Sequence, residues 1–501
     1  MTLSKLLENV TVTKMFQTLY GQMVVTHEVE VKHVHYDSRK IERGDLFVAI
    51  RGTGTDGNTF VQQAIANGAK VVVTDNNAAT DDFYFMHHGV VKIVVPDARK
   101  TLAQLSANIY GRPSSHLTMT GITGTNGKTS TAFLIKWLLE TTSKTGLIGT
   151  IEYHFGNERL PATHTTPESL ELQELLKRMV SSGCKNAVME VSSHALHQHR
   201  VHGIDYQVAV FTNLTQDHLD YHKSMEDYFS AKKILFDSLR SSATAIINLD
   251  DEWGRKLYQS VSSRKMSYGI ASKADFRANN VSLSFKGTGF TIEYDNRTIA
   301  ISAPLVGRFN VSNMLAAFSA GYALGIAPET MQERFRTMAP IAGRFEQIPS
   351  PFGWTAIVDY AHTHDALEKT LNAIHDVLGE NKKGKIITVF GCGGNRDTKK
   401  RPKMAEVASR LSDMTIVTSD NPRFEEPEMI IDDVMTGIVP GKDVIREADR
   451  NGAITIALTM AHENDIVLIA GKGHEDYQII RDEKKPFSDQ NVVREFIRKN
   501  A

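Results

Sequence analysis

Short apolar runs alternate along this chain with longer stretches whose apolar positions recur at helical spacing. Short runs of this kind, bounded by turn residues, read as strands buried on both faces of a sheet. In the first block Leu46–Ile50 and Val71–Thr74 are such runs, with a helical stretch at Val61–Ala66 between them. The segment Gly111-Arg112-Pro113-Ser114-Ser115 is rich in breakers and predicts a linker. A second block opens with Leu117–Ile122, turns through a Gly-rich loop and continues as a helix over Thr129–Thr142. There Leu134, Ile135, Leu138 and Leu139 recur at helical spacing. Ala187–Val191, Val208–Phe211 and Ala245–Asn248 predict further strands, and the alternating stretch Val281–Ile301 predicts an antiparallel excursion. A third block starts near Gly343. Its strand candidates are Thr355–Tyr360, Lys385–Phe390, Met414–Thr418 and Ile466–Ala470, with helices at Asp365–Leu378 and Thr455–His462.

Strands alternating with helices predict an α/β protein with parallel sheets. The chain has 501 residues, and at roughly 150 residues per domain three domains are expected. The blocks set them at 1–112, 113–342 and 343–501, the third sheet smaller than the central one. Hydrophobic residues are 41% and charged residues 23% of the chain, which is ordinary globular composition and excludes disorder. The net charge of -1 supplies no field toward nucleic acid or an anionic membrane, so an anionic ligand must be held by local groups. Two cysteines, Cys184 and Cys392, form neither a disulfide framework nor a zinc spacing. The N-terminus lacks a signal peptide's apolar core and no run is long enough to span a membrane. A soluble cytoplasmic protein is expected.

The strongest chemical signal is Gly121-Ile-Thr-Gly124-Thr125-Asn126-Gly127-Lys128-Thr129-Ser130, between a strand and a helix. Glycines let backbone N–H groups face one concavity. The helix N-terminus and Lys128 add positive charge, and a hydroxyl at 129 suits Mg²⁺. The common phosphate-loop pattern wants glycine where Ile122 stands; Gly121 lies one residue further out. No guanine-reading Asn-Lys-x-Asp segment occurs, so ATP is favoured over GTP.

Three more segments carry ionisable groups. Met189-Glu190-Val191-Ser192-Ser193-His194 ends a strand, where a carboxylate beside a phosphate loop suits a Mg²⁺ ligand. Thr212 to His222 packs Asp217, His218, Asp220 and His222 together, which fits a metal or orienting cluster and equally a solvated helix start capped by Asp217. Lys232 and Lys233 lie on a helical stretch, where paired lysines are ordinarily surface residues.

These motifs together resemble the Mur ligase family. The resemblance runs the length of the chain, through Leu305-Val-Gly-Arg-Phe-Asn310-Val-Ser-Asn313, Gly343-Arg344-Phe-Glu346, Asp359-Tyr-Ala-His362 and Gly391-Cys-Gly-Gly394. It implies a uridine-nucleotide-binding α/β domain, a central P-loop ATPase with a parallel sheet, and a C-terminal Rossmann-like domain for the incoming amino acid. It implies catalytic or phosphate roles for Lys128, Glu190, His218, Lys232, Arg344 and Asp359. Thr129, Glu190 and His218 would hold Mg²⁺, Lys232 would be carbamylated, and Asn310 and Asn313 would approach the adenine side. The resemblance also overrides the surface reading of Lys232, since a buried neutral amine can take up CO₂.

The closest likeness within the family is to the branch that adds the third residue of the muramyl peptide. Asp37-Ser38-Arg39 and Gly44-Asp-Leu-Phe-Val-Ala resemble its nucleotide-binding domain. Ser38, Thr165, Thr166, Ser192 and Arg200 match positions for UDP-N-acetylmuramoyl-L-alanyl-D-glutamate. Arg396, Gly471 and Glu475 match its amino-acid end. Asp420-Asn421-Pro422-Arg423 resembles the motif of enzymes using meso-2,6-diaminopimelate. That substrate differs from lysine by a distal carboxylate. A guanidinium binds such a group bidentately, and lysine would leave the arginine unpaired. Arg423 and Arg396 are the candidates, with Glu475 for the distal ammonium. Three positions depart from the family: Asn58 for histidine, His364 for proline and Asn395 for aspartate. A monomer without nucleic-acid partners is expected. The alternatives are the same ligase using L-lysine, a folylpolyglutamate-type ligase lacking the N-terminal nucleotide domain, and a nucleotide-binding regulator that has lost its chemistry.

Overall fold

The computed structural model describes every residue except 17, 20, 21, 24–28, 53 and 380–382. Its secondary structure is organised by three large sheets, one after another along the chain.

In the N-terminal sheet the order is Lys14–Phe16, Val91–Val94, Val71–Thr74, Leu46–Ala49, Val34–His35. All neighbours are parallel except the first pair. Val71–Thr74 and the helix Val61–Ala66 have the bounds that hydrophobic patterning predicts. Asn58, the first departure, is buried here: it donates to Asp56 and its Oδ1 accepts from Thr74 at 2.6 Å. The predicted linker is instead a short 3₁₀ turn, Pro113–His116, entered through Arg112 at φ 53°.

The central sheet has eleven strands. Its parallel core runs Thr145–Ile148, Asn186–Glu190, Thr118–Thr123, Tyr206–Phe211, Thr244–Asn248, Arg264–Gly269. Antiparallel ribbons extend both edges. Glu152–Phe155 and Glu158–Pro161 lie on one side; Phe276–Ser284, Gly287–Tyr294 and Arg297–Ala303 form the predicted excursion on the other. The sheet is therefore mixed, its parallel part running from Thr145–Ile148 to Phe276–Ser284 with the strand that leads into the phosphate loop inside it. Gly121 belongs to the strand and not to the loop. A Cβ there would lie 2.8 Å from the ring of Tyr206, which is buried against it. The helix after the loop runs Lys128–Leu139 and stops with its last apolar position, short of the predicted Thr142, because the hydroxyls of Thr141 and Thr142 turn back onto the carbonyls of Leu138 and Leu139.

The C-terminal sheet has six strands, ordered Glu346–Pro349, Thr355–Asp359, Ile466–Ala470, Ile386–Cys392, Met414–Ser419, Asp443–Arg446, parallel after the first pair. One of its helices begins at Arg450, five positions before the predicted Thr455, and ends at Met460. Gly452 masks the start in a propensity reading, but Asp449 caps it by accepting from the N–H groups of Asn451 and Gly452. Arg450 and Asp489, the first residues of two helices, form a fully buried bidentate pair at 2.8 Å. Arg450 also donates to the Ala470 and Ser419 carbonyls at the strand ends. Cys392 is a small buried core residue, its thiol pushed up to about 12 by burial.

Candidate active site

Residues 124–130 join the strand Thr118–Thr123 to the helix Lys128–Leu139, with Gly127 as N-cap at φ 84°. Gly124, at φ 151°, is obligatory on two counts: its backbone is left-handed, and a Cβ would meet the Thr212 hydroxyl at 1.8 Å. The loop is cross-braced by the next strand end. Asn126 N–H donates to Asn213 Oδ1 and Thr125 N–H to the Asn213 carbonyl. Lys128 Nζ donates to the carbonyls of Gly124 and Thr125 at 3.0 and 2.9 Å. Burial lowers its pKa, while Glu190 and Asp217 pull it back up. Ser130 is buried in the first turn of the same helix.

Glu190 ends its strand beside this loop and is buried. Its Oε2 accepts from Thr129 Oγ1 at 2.9 Å and from Thr150 Oγ1 at 3.0 Å, and its Oε1 accepts from the Thr150 N–H. Thr150 carries no sequence motif. The only hint was its neighbour Gly149, where a Cβ would lie 2.6 Å from Glu190 Oε1. Thr150 in turn meets the Thr165 hydroxyl at 3.1 Å. Thr166 donates to the Glu190 carbonyl and accepts from the Ser192 N–H, and Arg200 donates to the Thr166 carbonyl at 2.9 Å. Four of the five positions matched to the muramyl substrate thus lie in one connected network beside Glu190. Ser192 itself caps a short helix by accepting from Ala195 N–H. The fifth, Ser38, lines a cleft of about 730 Å³ in the N-terminal sheet, and Arg200 lines its other wall.

The histidine-rich segment is a turn, and the cap reading of Asp217 does not hold. The following helix, Met225–Asp237, starts later and is capped by Ser224. Asp217 instead accepts from the His218 backbone N–H, and its carboxylate sits 3.4 Å from His218 Nε2. Burial pushes the Asp217 carboxyl up, but His218, His362 and Lys400 outweigh it and hold it below the usual carboxylate range. Burial likewise holds His218 well below the ordinary histidine range. His218 adopts φ 56°, which turns its ring edge-on to His194 at 4.9 Å.

Lys232 departs from the surface reading of paired lysines. It is 1% exposed, and its Nζ donates to the Gly124 carbonyl at 2.8 Å inside the phosphate loop. Burial, then the nearby Lys128, hold its amine well below the usual lysine range. Lys233, one position on, points outward to Asp237.

Asn310 and Asn313 lie on the helix Arg308–Ala323. Both are buried and paired to each other at 3.1 Å, and Asn313 packs against Gly127, where a Cβ would come within 2.4 Å of its Oδ1.

The C-terminal domain closes over this surface. Arg344 Nη2 donates to Thr129 Oγ1 at 3.0 Å, and its guanidinium stacks over the Tyr360 ring. Asp359 fixes the turn before Arg344's neighbour: its Oδ2 accepts from the Phe345 N–H at 2.7 Å, where Phe345 is left-handed. Burial raises the Asp359 pKa, while Arg344 opposes the rise. The helix His364–Leu378 starts over the loop, with Thr363 as cap and His364 at the first position, where proline is tolerated and not required. Asp365 Oδ2 there accepts from Asn126 Nδ2, Thr215 Oγ1 and Lys369 Nζ. Asp365 reads in sequence as a helix start and nothing more.

At the carboxyl edge of the C-terminal sheet, Arg423 adopts φ 53° and donates to the Gly394 carbonyl at 2.9 Å. Burial, then the neighbouring Arg396, lower its pKa. Gly394 is forced: a Cβ would lie 1.9 Å from the Pro422 carbonyl. Asn395, the third departure, takes a left-handed backbone and its Oδ1 accepts from the Phe424 N–H, so it braces the Arg423 turn from the far side. Arg396 is exposed. Asp420, Asn421 and Glu475 converge on Lys472, a fully buried lysine that sequence reading passed over. Lys472 Nζ lies 3.0 Å from both Asn421 Oδ1 and Glu475 Oε2 and 3.8 Å from Asp420. A Cβ on Gly471 would lie 2.7 Å from Asp420 Oδ2. His474, also overlooked, stacks near Tyr360 at 5.2 Å, and burial lowers it to about 3.

The glycine-rich loop 124–130 thus meets an acid, a buried lysine and an arginine from a separate domain. Residues 122–321 match the Mur ligase middle domain, 343–473 the Mur ligase glutamate ligase domain, and 30–110 the Mur ligase family catalytic domain. The chain belongs to the Mur ligase family. The ligase is 42% identical over 485 residues to the UDP-N-acetylmuramoyl-L-alanyl-D-glutamate--2,6-diaminopimelate ligase of Clostridium botulinum, covering 96% of this chain and 98% of that one. It is 43% identical to the ligase of the same name from Phocaeicola vulgatus, covering 99% of each. A solved structure of a ligase of that name superposes with a TM-score of 0.66 at 31% identity, over 96% of this chain and 98% of the other. In the described residues no helix is long and apolar enough to cross a membrane.

Proposed function

We propose that this ligase adds meso-2,6-diaminopimelate to UDP-N-acetylmuramoyl-L-alanyl-D-glutamate with conversion of ATP to ADP and phosphate, in cytoplasmic peptidoglycan precursor synthesis. Residues 1–112 take the uridine end, 113–342 the ATP and 343–501 the amino acid, all within a monomer. Two buried free thiols fit a reducing compartment.

A carboxylate is a poor electrophile, so ATP activates it. The glutamate carboxylate attacks the γ-phosphorus, ADP leaves, and an acyl phosphate results. The incoming amine then attacks the acyl carbon, and phosphate leaves from the tetrahedral intermediate. Lys128 and the loop N–H groups bind the phosphates, and Arg344 reaches the same point from the far domain. Closure of the C-terminal domain excludes water from the acyl phosphate. The donor set fits Mg²⁺: the Thr129 hydroxyl and Glu190 carboxylate are hydrogen-bonded neighbours, and the charges of Lys128 and Lys232 reach His218. Thr129, Glu190 and His218 would hold the ion, which when bound neutralises charge on the transferring group. Lys232 is the carbamylation site; its depressed amine pKa supplies the neutral nucleophile that CO₂ requires.

The observation that carries the choice of amino acid is Arg423. Its guanidinium is held by the Gly394 carbonyl with the Arg396 charge beside it, a pair of guanidiniums that suits a distal carboxylate. Glu475, held by Lys472 and Asn421, supplies the adjoining negative group for the ammonium.

The test is phosphate release from ATP with Mg²⁺, the UDP-muramyl dipeptide and either meso-diaminopimelate or L-lysine. Release with diaminopimelate alone is expected. Release with lysine alone overturns the amino-acid assignment, and release with neither overturns the ligase reading.

A further inference from the structure

The N-terminal domain carries a cluster of side chains of metal-ligating type, remote in sequence from the phosphate loop. Val34–His35 is the edge strand of its sheet, paired parallel with Leu46–Ala49. His33 and His35 are two positions apart on this extended segment and so share one face. That face looks onto Asp45, which ends the turn leading into the neighbouring strand. His33 Nδ1 lies 3.0 Å from Asp45 Oδ1, and His35 Nε2 lies 3.6 Å from Asp45 Oδ2. One nitrogen of each ring and a carboxylate oxygen all lie within 4.8 Å of one another.

We propose that His33, His35 and Asp45 form a binding site for a borderline divalent transition ion, Zn²⁺ in particular. Zinc bonds of about 2.0–2.2 Å at tetrahedral angles put ligand atoms roughly 3.4 Å apart, close to the spacings here. Two imidazoles and one carboxylate select such an ion over Mg²⁺, which takes oxygen ligands. The carboxylate is built for the task. It is fully buried, and backbone N–H groups of His33 and Glu42 donate to its two oxygens, fixing its plane while a lone pair on each stays available. His33 is 62% exposed in its side chain, which gives the ion its entry and leaves a fourth position for water. The next charged groups near His35 are Lys40 and Glu42, of opposite sign.

The site bears on the nucleotide end of the protein. Tyr36, Asp37 and Ser38 follow His35 directly and line the cleft of the N-terminal sheet. An ion clamping His35 to Asp45 would hold the entry to that cleft in one conformation.

The experiment is calorimetric titration of the metal-free full chain with Zn²⁺ under excess Mg²⁺, repeated on the His33→Ala/His35→Ala double variant. Asp45 is left intact because it organises its own turn. Co²⁺ absorption in the visible range reports nitrogen ligation independently. Expected is a site in the wild type whose affinity falls at least about tenfold in the variant, with loss of the Co²⁺ band. Equal Zn²⁺ affinity in both proteins, or no binding by the wild type, overturns the proposal. Thermal unfolding of the variant in the absence of metal checks that it folds.

Discussion

Arg344 of the C-terminal domain donates to the hydroxyl of Thr129, the residue after the phosphate-loop lysine, across 215 positions of sequence. Thr129 passes the link to Glu190 through its own hydroxyl proton. Three groups assigned to phosphate and metal binding therefore form one chain that exists only when the two domains are together.

Arg344→Ala is expected to lower kcat/KM by roughly 10- to 100-fold, the loss of a hydrogen bond to a charged donor worth about 1.5–3 kcal/mol. Arg344→Lys should not restore it, because an ammonium lacks the planar fork that reaches Thr129 while stacking on Tyr360. Steady-state kinetics of the two variants check this, and full activity in the lysine variant would refute the geometry.

Asp365 gathers donors from Asn126 and Thr215 of the central domain onto one oxygen. Asp365→Ala should lower kcat about tenfold while leaving ADP affinity nearly unchanged, since the loop keeps its own braces to Asn213. Small-angle scattering should show a wider distribution of domain separations in the variant. An unchanged profile with unchanged kcat would show that Asp365 does not hold the domains.

The pair Arg450–Asp489 is fully buried on both sides. Asp489→Ala leaves an uncompensated guanidinium and should destabilise the C-terminal domain by about 3–5 kcal/mol, read by urea unfolding. A replacement of both by apolar residues should be far milder. Equal losses in the two would mean that packing, not charge, is at stake.

Acid should weaken the fold through its buried histidines. Burial lowers His222 to about 4 and His474 to about 3, below the usual value near 6.5. Between those limits the unfolded chain binds protons that the native chain does not, so stability falls as pH drops from about 6.5 towards 4. Urea midpoints at several pH values should show this slope, and His474→Gln should flatten it. A slope unaffected by the substitution would assign the acid sensitivity elsewhere.

Lys232 should carry one added CO₂ by native mass spectrometry in bicarbonate. Lys232→Ala should lose both that mass and most of the activity. An unmodified, fully active Lys232 would remove it from the mechanism.

The parts of this site that read from sequence are those built by contiguous residues. Gly124 to Ser130 dictate a loop because glycines, a lysine and a helix start follow one another, and Glu190 stands at the end of an apolar run. Patterning also located the strands Val71–Thr74 and Ile466–Ala470 to the residue, since each is buried on both faces. What stayed hidden is set by tertiary packing. Local spacing makes Lys232 look like its half-buried, outward-pointing neighbour Lys233, and only the packing of its helix beneath the loop separates them. Thr150, Lys472 and Asp365 lie in no phosphate or metal motif, and their partners come from other elements. Asp217 reads as a cap because capping chemistry and ion-pair chemistry use the same carboxylate. Gly121 looks like a displaced loop glycine, whereas the Tyr206 ring requires it.

The helix Arg308–Ala323 has Asn313 against Gly127 and, further along, Phe318 wedged against Phe276 and Tyr294 of the antiparallel ribbon. A helix of that length is a stiff rod of about 24 Å. The proposed nucleotide pocket thereby has a back wall whose footing is an aromatic cluster containing none of the residues assigned to the site. A substitution or small molecule that shifts that footing would tilt the rod and reshape the pocket from behind, so interference with ATP use need not imitate ATP.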